Sequence, residues 1–252
     1  MSKYLQPSSY LRWTLEFREF WRARRSSRGF VAFGDRDGMH YIALPERIWA
    51  TKSHEWWTLL AALLRRLRPE SILELGSGRS TVYLSEYACK EGKHLVSVDE
   101  NPSWNAVNRL FACLGGLTDD FVYYVPVTED GYYDIDRLKS LVRHPPDLLY
   151  LDGPIRDRSG LLHNEFTANL CVTAGVIIVD DIQWAHVFDQ MQTLRTMGMQ
   201  RTATVVGYDI PKRRQYLAIL LREDLQPVLD ELMDVLRVTP EMDYTREKCV
   251  QE

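Results

Sequence analysis

Cysteine is scarce and scattered in this 252-residue chain: Cys89, Cys113, Cys171 and Cys249 form no CxxC pair. That argues against a zinc site and against a disulfide framework, and fits a reducing compartment, so the cytoplasm is the expected location. Long apolar runs are also lacking. No stretch approaches the roughly 20 residues that a membrane-spanning helix needs, and "MSKYLQPSSYLRW" has no apolar core of a secretory signal. Excess positive charge is absent, since the formal net charge is −4. There is therefore no whole-chain case for a nucleic-acid partner, and none is expected. Internal repeats and low-complexity tracts are missing as well.

What is present suits one large α/β domain with some decoration. Residues 1–50 are expected to form an extension. Ser8 and Ser9 precede a helix through "YLRWTLEFREFWRARR", whose Tyr10, Trp13, Phe17, Phe20 and Trp21 share one face. Seven basic and two acidic residues up to Arg28 give it local positive charge. A lid or a homodimer contact is the expected use of this helix; a membrane-surface helix is the alternative. "GFVAFGDRDGMHYIAL" then predicts a β-hairpin around a D-R-D-G turn.

Residues 51–238 alternate helices with short strands that are nearly continuous apolar runs. The strands are "SILEL", "HLVSVD", "FVYYVPV", "DLLYL" and "GVIIV". Such runs imply a sheet covered by helices on both faces. The predicted fold is α/β: a Rossmann-like, doubly wound, mostly parallel seven-stranded sheet. "TATVVGYDI" and "QYLAILL", joined across "PKRR", predict an antiparallel hairpin at its end. Residues 239–252 read as a polar tail.

Open α/β sheets bind ligands at the carboxyl ends of their strands, so polar residues there carry the functional reading. In "LELGSGRST", Gly76 and Gly78 permit a tight turn, and Ser80 and Thr81 open the next helix. The third position of a dinucleotide fingerprint is Thr81 instead of glycine. Glu74 precedes the turn, an acid that disfavours a pyrophosphate and suits a cationic ligand. The second strand ends in Asp99, followed by Glu100, where a carboxylate accepts both hydroxyls of a ribose.

Together "ILELGSGRST", "VSVDENP", "DLLYLDGP" and "GVIIVDD" resemble, in the proper order, the strand-end motifs of the S-adenosylmethionine-dependent methyltransferases. The resemblance covers roughly Thr51 to Arg222. It implies that Glu74, Gly76, Ser77 and Gly78 hold the methionine moiety and its loop, that Asp99 holds the ribose, and that Thr128 and Glu129 lie near the adenine.

Asp152 ends the fourth strand, and Asp180 and Asp181 end the fifth. Neighbouring strands lie about 4.8 Å apart, so these three carboxylates are expected at one edge of the methyl-donor pocket, where mutual repulsion calls for a compensating cation. Three hard oxygen ligands suit Mg²⁺ or Ca²⁺ better than Zn²⁺. The pattern is similar to that of the metal-dependent O-methyltransferases of the catechol and the sugar types. The catechol type's lysine base is missing, since Ile155 stands at that position. The sugar type's acid, five residues past the first metal acid, matches Asp157. Asp157 is the first candidate base and His163 the second.

The expected reaction is metal-assisted O-methylation of a small-molecule hydroxyl. The alternatives are metal-free methylation of nitrogen or another acceptor, and a catalytically inactive binding module of the same fold. A nicotinamide enzyme is disfavoured by Glu74 and Thr81. A basic turn at Pro211–Arg214 is either a contact for an anionic group or a solvated hairpin tip.

Overall fold

The computed structural model describes residues 31–36, 39–43, 54–114, 120–154, 160–198, 201–210, 213–235 and 239–240. The expected N-terminal helix, Asp157 and most of the tail lie outside the described residues, as do Pro211 and Lys212 of the basic turn. In chain order the elements are β1 (Val31–Arg36), β2 (Met39–Ala43), α1 (His54–Leu67), β3 (Ser71–Leu75), α2 (Arg79–Glu91), β4 (His94–Asp99) and α3 (Pro102–Leu114). They continue with β5 (Val122–Tyr124), α4 (Ile135–Leu141), β6 (Leu148–Leu151), α5 (Gly160–His163), α6 (Glu165–Thr173) and β7 (Val176–Val179). The last are α7 (Ala185–Thr196), β8 (Arg201–Ile210), β9 (Arg213–Arg222), α8 (Gln226–Val235) and β10 (Thr239–Pro240).

All ten strands join one sheet in the order β10-β1-β2-β8-β9-β7-β6-β3-β4-β5. The seven strands expected from the sequence are β3 to β9. Five of them, β5-β4-β3-β6-β7, are parallel, and β9 and β8 close the series as an antiparallel hairpin. The extension does not stand apart: β2 pairs in parallel with β8, so the β1–β2 hairpin lengthens the same sheet. Thr239 and Pro240, read as tail from the sequence, pair with Val31 and Ala32.

Side chains alternate across the parallel strands with the period of two that extended backbone imposes. Leu73, Leu75, Leu149, Leu151, Ile177 and Val179 face a core shared with α4, α6 and α7. Ile72, Leu148, Tyr150, Val176 and Ile178 face the opposite core, under α1, α2 and α8. Burial on both faces explains why the strands read as unbroken apolar runs. Each such side chain contributes about 1.5–3 kcal/mol on leaving water.

The stretch "GLLHNEFTANLCVTA" forms two helices, not one. Asn164 breaks it, its Oδ1 accepting the Phe166 amide as the N-cap of α6. Asparagine competes with the helical backbone for such bonds and so favours caps. No helix among the described residues is long and apolar enough to cross a membrane.

Candidate active site

The strand order reverses between β3 and β6, which run side by side and lead off in opposite directions. Their ends meet closely. A Cβ placed on Gly76 would lie 2.5 Å from the carbonyl carbon of Asp152 and 2.5 Å from the amide nitrogen of Gly153. Gly76 has φ of +94°, a conformation that side chains resist. Its amide and that of Ser77 both donate to the Val98 carbonyl at 2.9 Å. Gly76 thus serves close packing of two strand ends. Gly78 differs, because a Cβ there would meet nothing within 4 Å.

Glu74 is fully buried and its Oε2 accepts from the Thr81 hydroxyl at 2.6 Å and the Ser97 hydroxyl at 2.5 Å. Thr81 Oγ1 in turn accepts the Gly78 amide at 2.7 Å. The acid before the turn is therefore a strut that fixes the start of α2. Ser80, in the first turn of α2, is buried, and its hydroxyl makes no hydrogen bond among the described residues.

Asp99 ends β4 and is 6% exposed. Its Oδ1 accepts the Asn101 amide at 2.8 Å, and its Oδ2 accepts from the Ser77 hydroxyl at 3.3 Å. Burial pushes its carboxyl up to about 7. The Glu100 and Glu74 charges add to the rise, while the Asn101 and Ser77 hydrogen bonds oppose it. The Asn108 amide lies 2.9 Å from Ser77 Oγ, and the Trp104 indole donates to the Ser77 carbonyl. These α3 residues hold the loop after β3 against the end of β4.

Glu100 accepts from the Tyr133 hydroxyl at 3.2 Å. Tyr133 is fully buried, and burial first, then the Glu100 and Asp99 charges, push its phenol well above the usual range. Its oxygen also lies against Gly153, since a Cβ there would be 2.6 Å away. One side chain thus touches both the loop after β4 and the loop after β6. No sequence motif marked Tyr133. Ser97 did leave a sign, as a polar residue inside a buried strand.

The register Leu151↔Val179 brings Asp152 and Asp180 to neighbouring strand ends, as the sequence anticipates. Backbone bonds from Asp152 N to the Leu75 carbonyl (2.7 Å) and from Asp180 N to the Leu151 carbonyl (2.9 Å) carry the ladder one residue further. Asp180 is 1% exposed; its Oδ1 accepts the Asp181 amide at 2.9 Å and its Oδ2 the Tyr150 hydroxyl at 3.4 Å. Asp181 has φ of +61°, and its Oδ1 accepts from Gln183 Nε2 at 2.8 Å. Gln183 Oε1 takes the Tyr216 amide at 3.0 Å, which ties this turn to β9.

Other sequence candidates fall elsewhere. Thr128 is exposed and bonds within its own turn, to the Tyr132 carbonyl, and Glu129 is exposed beside it. His163 is exposed at the end of α5. Among the described residues no three His, Cys, Asp or Glu side chains are grouped so as to hold a metal ion. With Asp180 and Asp181 already engaged by neighbouring donors, the described residues do not form a metal cage.

The donor-site residues do fit S-adenosylmethionine. Asp99 is a buried carboxylate suited to paired hydroxyls, Gly78 borders open space, and the Ser80 hydroxyl awaits a partner at a helix N-terminus.

This sheet order, with an acid closing β4 and a terminal antiparallel hairpin, agrees with the resemblance to S-adenosylmethionine-dependent methyltransferases that the strand-end motifs carry. Residues 73–182 match the family model described as a methyltransferase domain. Two solved structures are similar in fold. One is a putative caffeoyl-CoA O-methyltransferase from Staphylococcus aureus: 14% identity, TM-score 0.47, 71% of this chain and 85% of that chain covered. The other is precorrin-6y C5,15-methyltransferase from Geobacter metallireducens GS-15: 14% identity, TM-score 0.45, 68% and 89% covered. At these values neither neighbour bears on the acceptor. No curated protein sequence matches the chain.

Proposed function

We propose that this chain is an S-adenosylmethionine-dependent methyltransferase that methylates a hydroxyl of a small molecule, with proton removal by the carboxylates of the strand-end edge. The observation that carries the reading is the register Leu151↔Val179, which sets Asp152 and Asp180 side by side next to the loop after β3. Bound S-adenosylmethionine supplies an electrophilic methyl on sulfonium sulfur. Asp99 accepts the ribose hydroxyls, Ser80 and the open side of Gly78 receive the methionine end, and Tyr133 positions Glu100. A hydroxyl is a poor nucleophile while protonated, so a nearby carboxylate that draws off its proton raises the rate. The position of Asp152 at the end of β6, against the Gly76 turn, supports that role. Asp157 is the base that the sequence pattern favours, ahead of His163.

Metal assistance is the second reading, which rests on the sequence resemblance and on Asp152 and Asp180 at adjacent strand ends, since no three such side chains among the described residues are grouped to hold an ion. Mg²⁺ is commonly held by one or two carboxylates together with waters and substrate oxygens. Chelation separates the two readings.

The test is turnover of S-adenosylmethionine against a panel of sugars, phenols, hydroxylated natural products and amines, with mass-spectrometric location of the methyl. Methyl on oxygen, retained in EDTA and reduced at least about 100-fold in Asp152→Asn, is the expected result. Loss in EDTA with recovery on adding Mg²⁺ establishes the metal-assisted route instead. Methyl on nitrogen alone overturns the hydroxyl reading, and donor binding without product from the panel favours a binding module.

A further inference from the structure

The amino ends of β3, β4 and β6 lie at the edge of the sheet opposite the candidate active site. His94 opens β4, whose other end is Asp99, roughly 16 Å away along an extended strand. His144 lies in the loop between α4 and β6. Both residues are exposed, and their imidazole centroids are 6.2 Å apart with the ring planes inclined at 48°. Neither imidazole has a hydrogen bond or ion pair among the described residues.

The backbones that carry the two rings are anchored on one short stretch, Glu70 and Ser71. His94 is in register with Ser71, and its amide donates to the Glu70 carbonyl at 2.9 Å. On the other side, the Ser71 hydroxyl donates to the Pro145 carbonyl at 2.9 Å. Asp147 Oδ2 accepts the Glu70 and Ser71 amides at 2.8 and 3.0 Å. Pro145 and Pro146 follow His144 directly; their rings fix φ, and a residue before proline is kept extended. The histidine pair is therefore preorganised by backbone and not by contacts of its own rings. Glu70 is engaged by Lys93 at 2.6 Å, which leaves imidazole nitrogen as the free donor type of the pair.

We infer that His94 and His144 form a surface site for a late first-row divalent cation, Zn²⁺ or Cu²⁺. Imidazole nitrogen suits these ions, whereas Mg²⁺ prefers carboxylate and water oxygen. A tetrahedral Zn²⁺ with bonds of about 2.0–2.1 Å to nitrogen sets two imidazole centroids roughly 5 Å apart. The observed 6.2 Å is about 1 Å wider, a gap that small χ rotations of two exposed rings close. No third His, Cys, Asp or Glu side chain completes the group among the described residues, so water or an outside ligand fills the remaining positions. A bound ion ties the start of β4 to the loop before β6 and stabilises the folded chain by mass action. The site lies across the sheet from the methyl-donor residues and does not depend on which acceptor is methylated.

Zn²⁺ is titrated calorimetrically into the full chain in excess Mg²⁺, and the Cu²⁺-loaded chain is examined by electron paramagnetic resonance. The expected results are Zn²⁺ binding that raises the melting temperature and a Cu²⁺ spectrum split by two nitrogens. His94→Gln and His144→Gln are each expected to weaken Zn²⁺ binding roughly tenfold or more, with little further loss in the double variant. Without metal, the melting temperature of both variants and their affinity for S-adenosylhomocysteine stay at the wild-type values. No Zn²⁺ binding, binding that persists in both variants, or a Cu²⁺ spectrum with a single nitrogen ligand each overturns the inference. If S-adenosylhomocysteine fails to bind, the methyl-donor reading falls and the Zn²⁺ titration still decides the histidine pair.

Discussion

Gly76 and Gly153 meet backbone to backbone: a Cβ on Gly153 would lie 2.7 Å from Gly76 Cα, and one on Gly76 only 2.5 Å from Gly153 N. The contact joins the ends of β3 and β6 at the point where the strand order reverses, the place where open α/β sheets bind ligands. Backbone cannot retreat as the far end of a flexible side chain can, and Gly76 also has positive φ. Gly76→Ala is therefore expected to destabilise the chain by roughly 2–3 kcal/mol and to weaken S-adenosylhomocysteine binding. Gly78→Ala is the paired comparison, since its added methyl meets no protein atom within 4 Å. It should leave the denaturant midpoint near wild type while reducing donor affinity. Unchanged affinity in Gly78→Ala would mean that the ligand does not use that space.

If Asp99 holds the donor's ribose as proposed, it is expected to link stability and donor binding with opposite signs. Its folded carboxyl titrates near 7, raised by burial from an ordinary value near 4. Between about pH 4 and pH 7 the folded chain binds the extra proton, so this group's contribution to stability falls as pH rises through that window. Asp99→Asn should thus raise the melting temperature at pH 8 and change it little at pH 4. The same substitution should abolish measurable donor binding. In the wild type, affinity for S-adenosylhomocysteine should decline as pH drops below 7, because a protonated carboxyl no longer accepts both ribose hydroxyls. An affinity flat from pH 8 to pH 5.5 would remove Asp99 from the ribose site.

Tyr133 offers a positioning effect distinguishable from mere packing. Its hydroxyl donates to Glu100 Oε2 at 3.2 Å and abuts Gly153, and its raised pKa keeps the proton on the phenol throughout the neutral range. Tyr133→Phe keeps the ring and removes only the donor. A stability loss of about 1 kcal/mol should accompany a rise in KM for S-adenosylmethionine, with kcat held near wild type. A fall in kcat at constant KM would place Tyr133 with the reacting atoms instead.

The parallel part of this fold was legible because both faces of β3, β6 and β7 are buried, which leaves unbroken apolar runs that only a helix-covered sheet explains. The strand ends were legible for a related reason: Glu74, Asp99, Asp152 and Asp180 are charges placed where an apolar run stops. Contacts between loops were not legible. Gly76 resembled a ligand-facing glycine, and only the structure reveals Gly153 against it. Glu74 resembled a ligand for a cation, yet its partners Thr81 and Ser97 lie 7 and 23 residues away and satisfy Oε2 from within. The split at Asn164 turned on a local side-chain bond that competes with helix continuity, a difference too small for periodicity to register. The joining of β2 to β8 rests on pairing between segments about 160 residues apart, to which no local pattern points.

Arg201 was the least legible of the structural residues, and it carries the largest predicted loss of stability. It begins β8 and is fully buried, with no carboxylate among its hydrogen-bond partners. One guanidinium nitrogen donates to the carbonyls of Cys171, Val172 and Ala174 at 2.6, 3.1 and 3.0 Å, and the other to those of Leu194 and Met197 at 3.1 Å each. These are the open carbonyls at the C-terminal ends of α6 and α7, where the helix dipoles place partial negative charge. Burial lowers the pKa of Arg201, the neighbouring thiol opposes the shift, and an arginine stays charged in proteins regardless. Arg201→Met fills similar space but strands five carbonyls, so it should cost roughly 3–5 kcal/mol in denaturant unfolding. Arg201→Lys should recover only part of that, because a single ammonium lacks the fork that reaches both helix ends. Saturating S-adenosylhomocysteine should raise the melting temperature of each variant by mass action, which shows that the donor site survives when the helix ends loosen. An Arg201→Met chain as stable as wild type would mean that water satisfies those carbonyls and that the arginine's bonds add nothing to the fold.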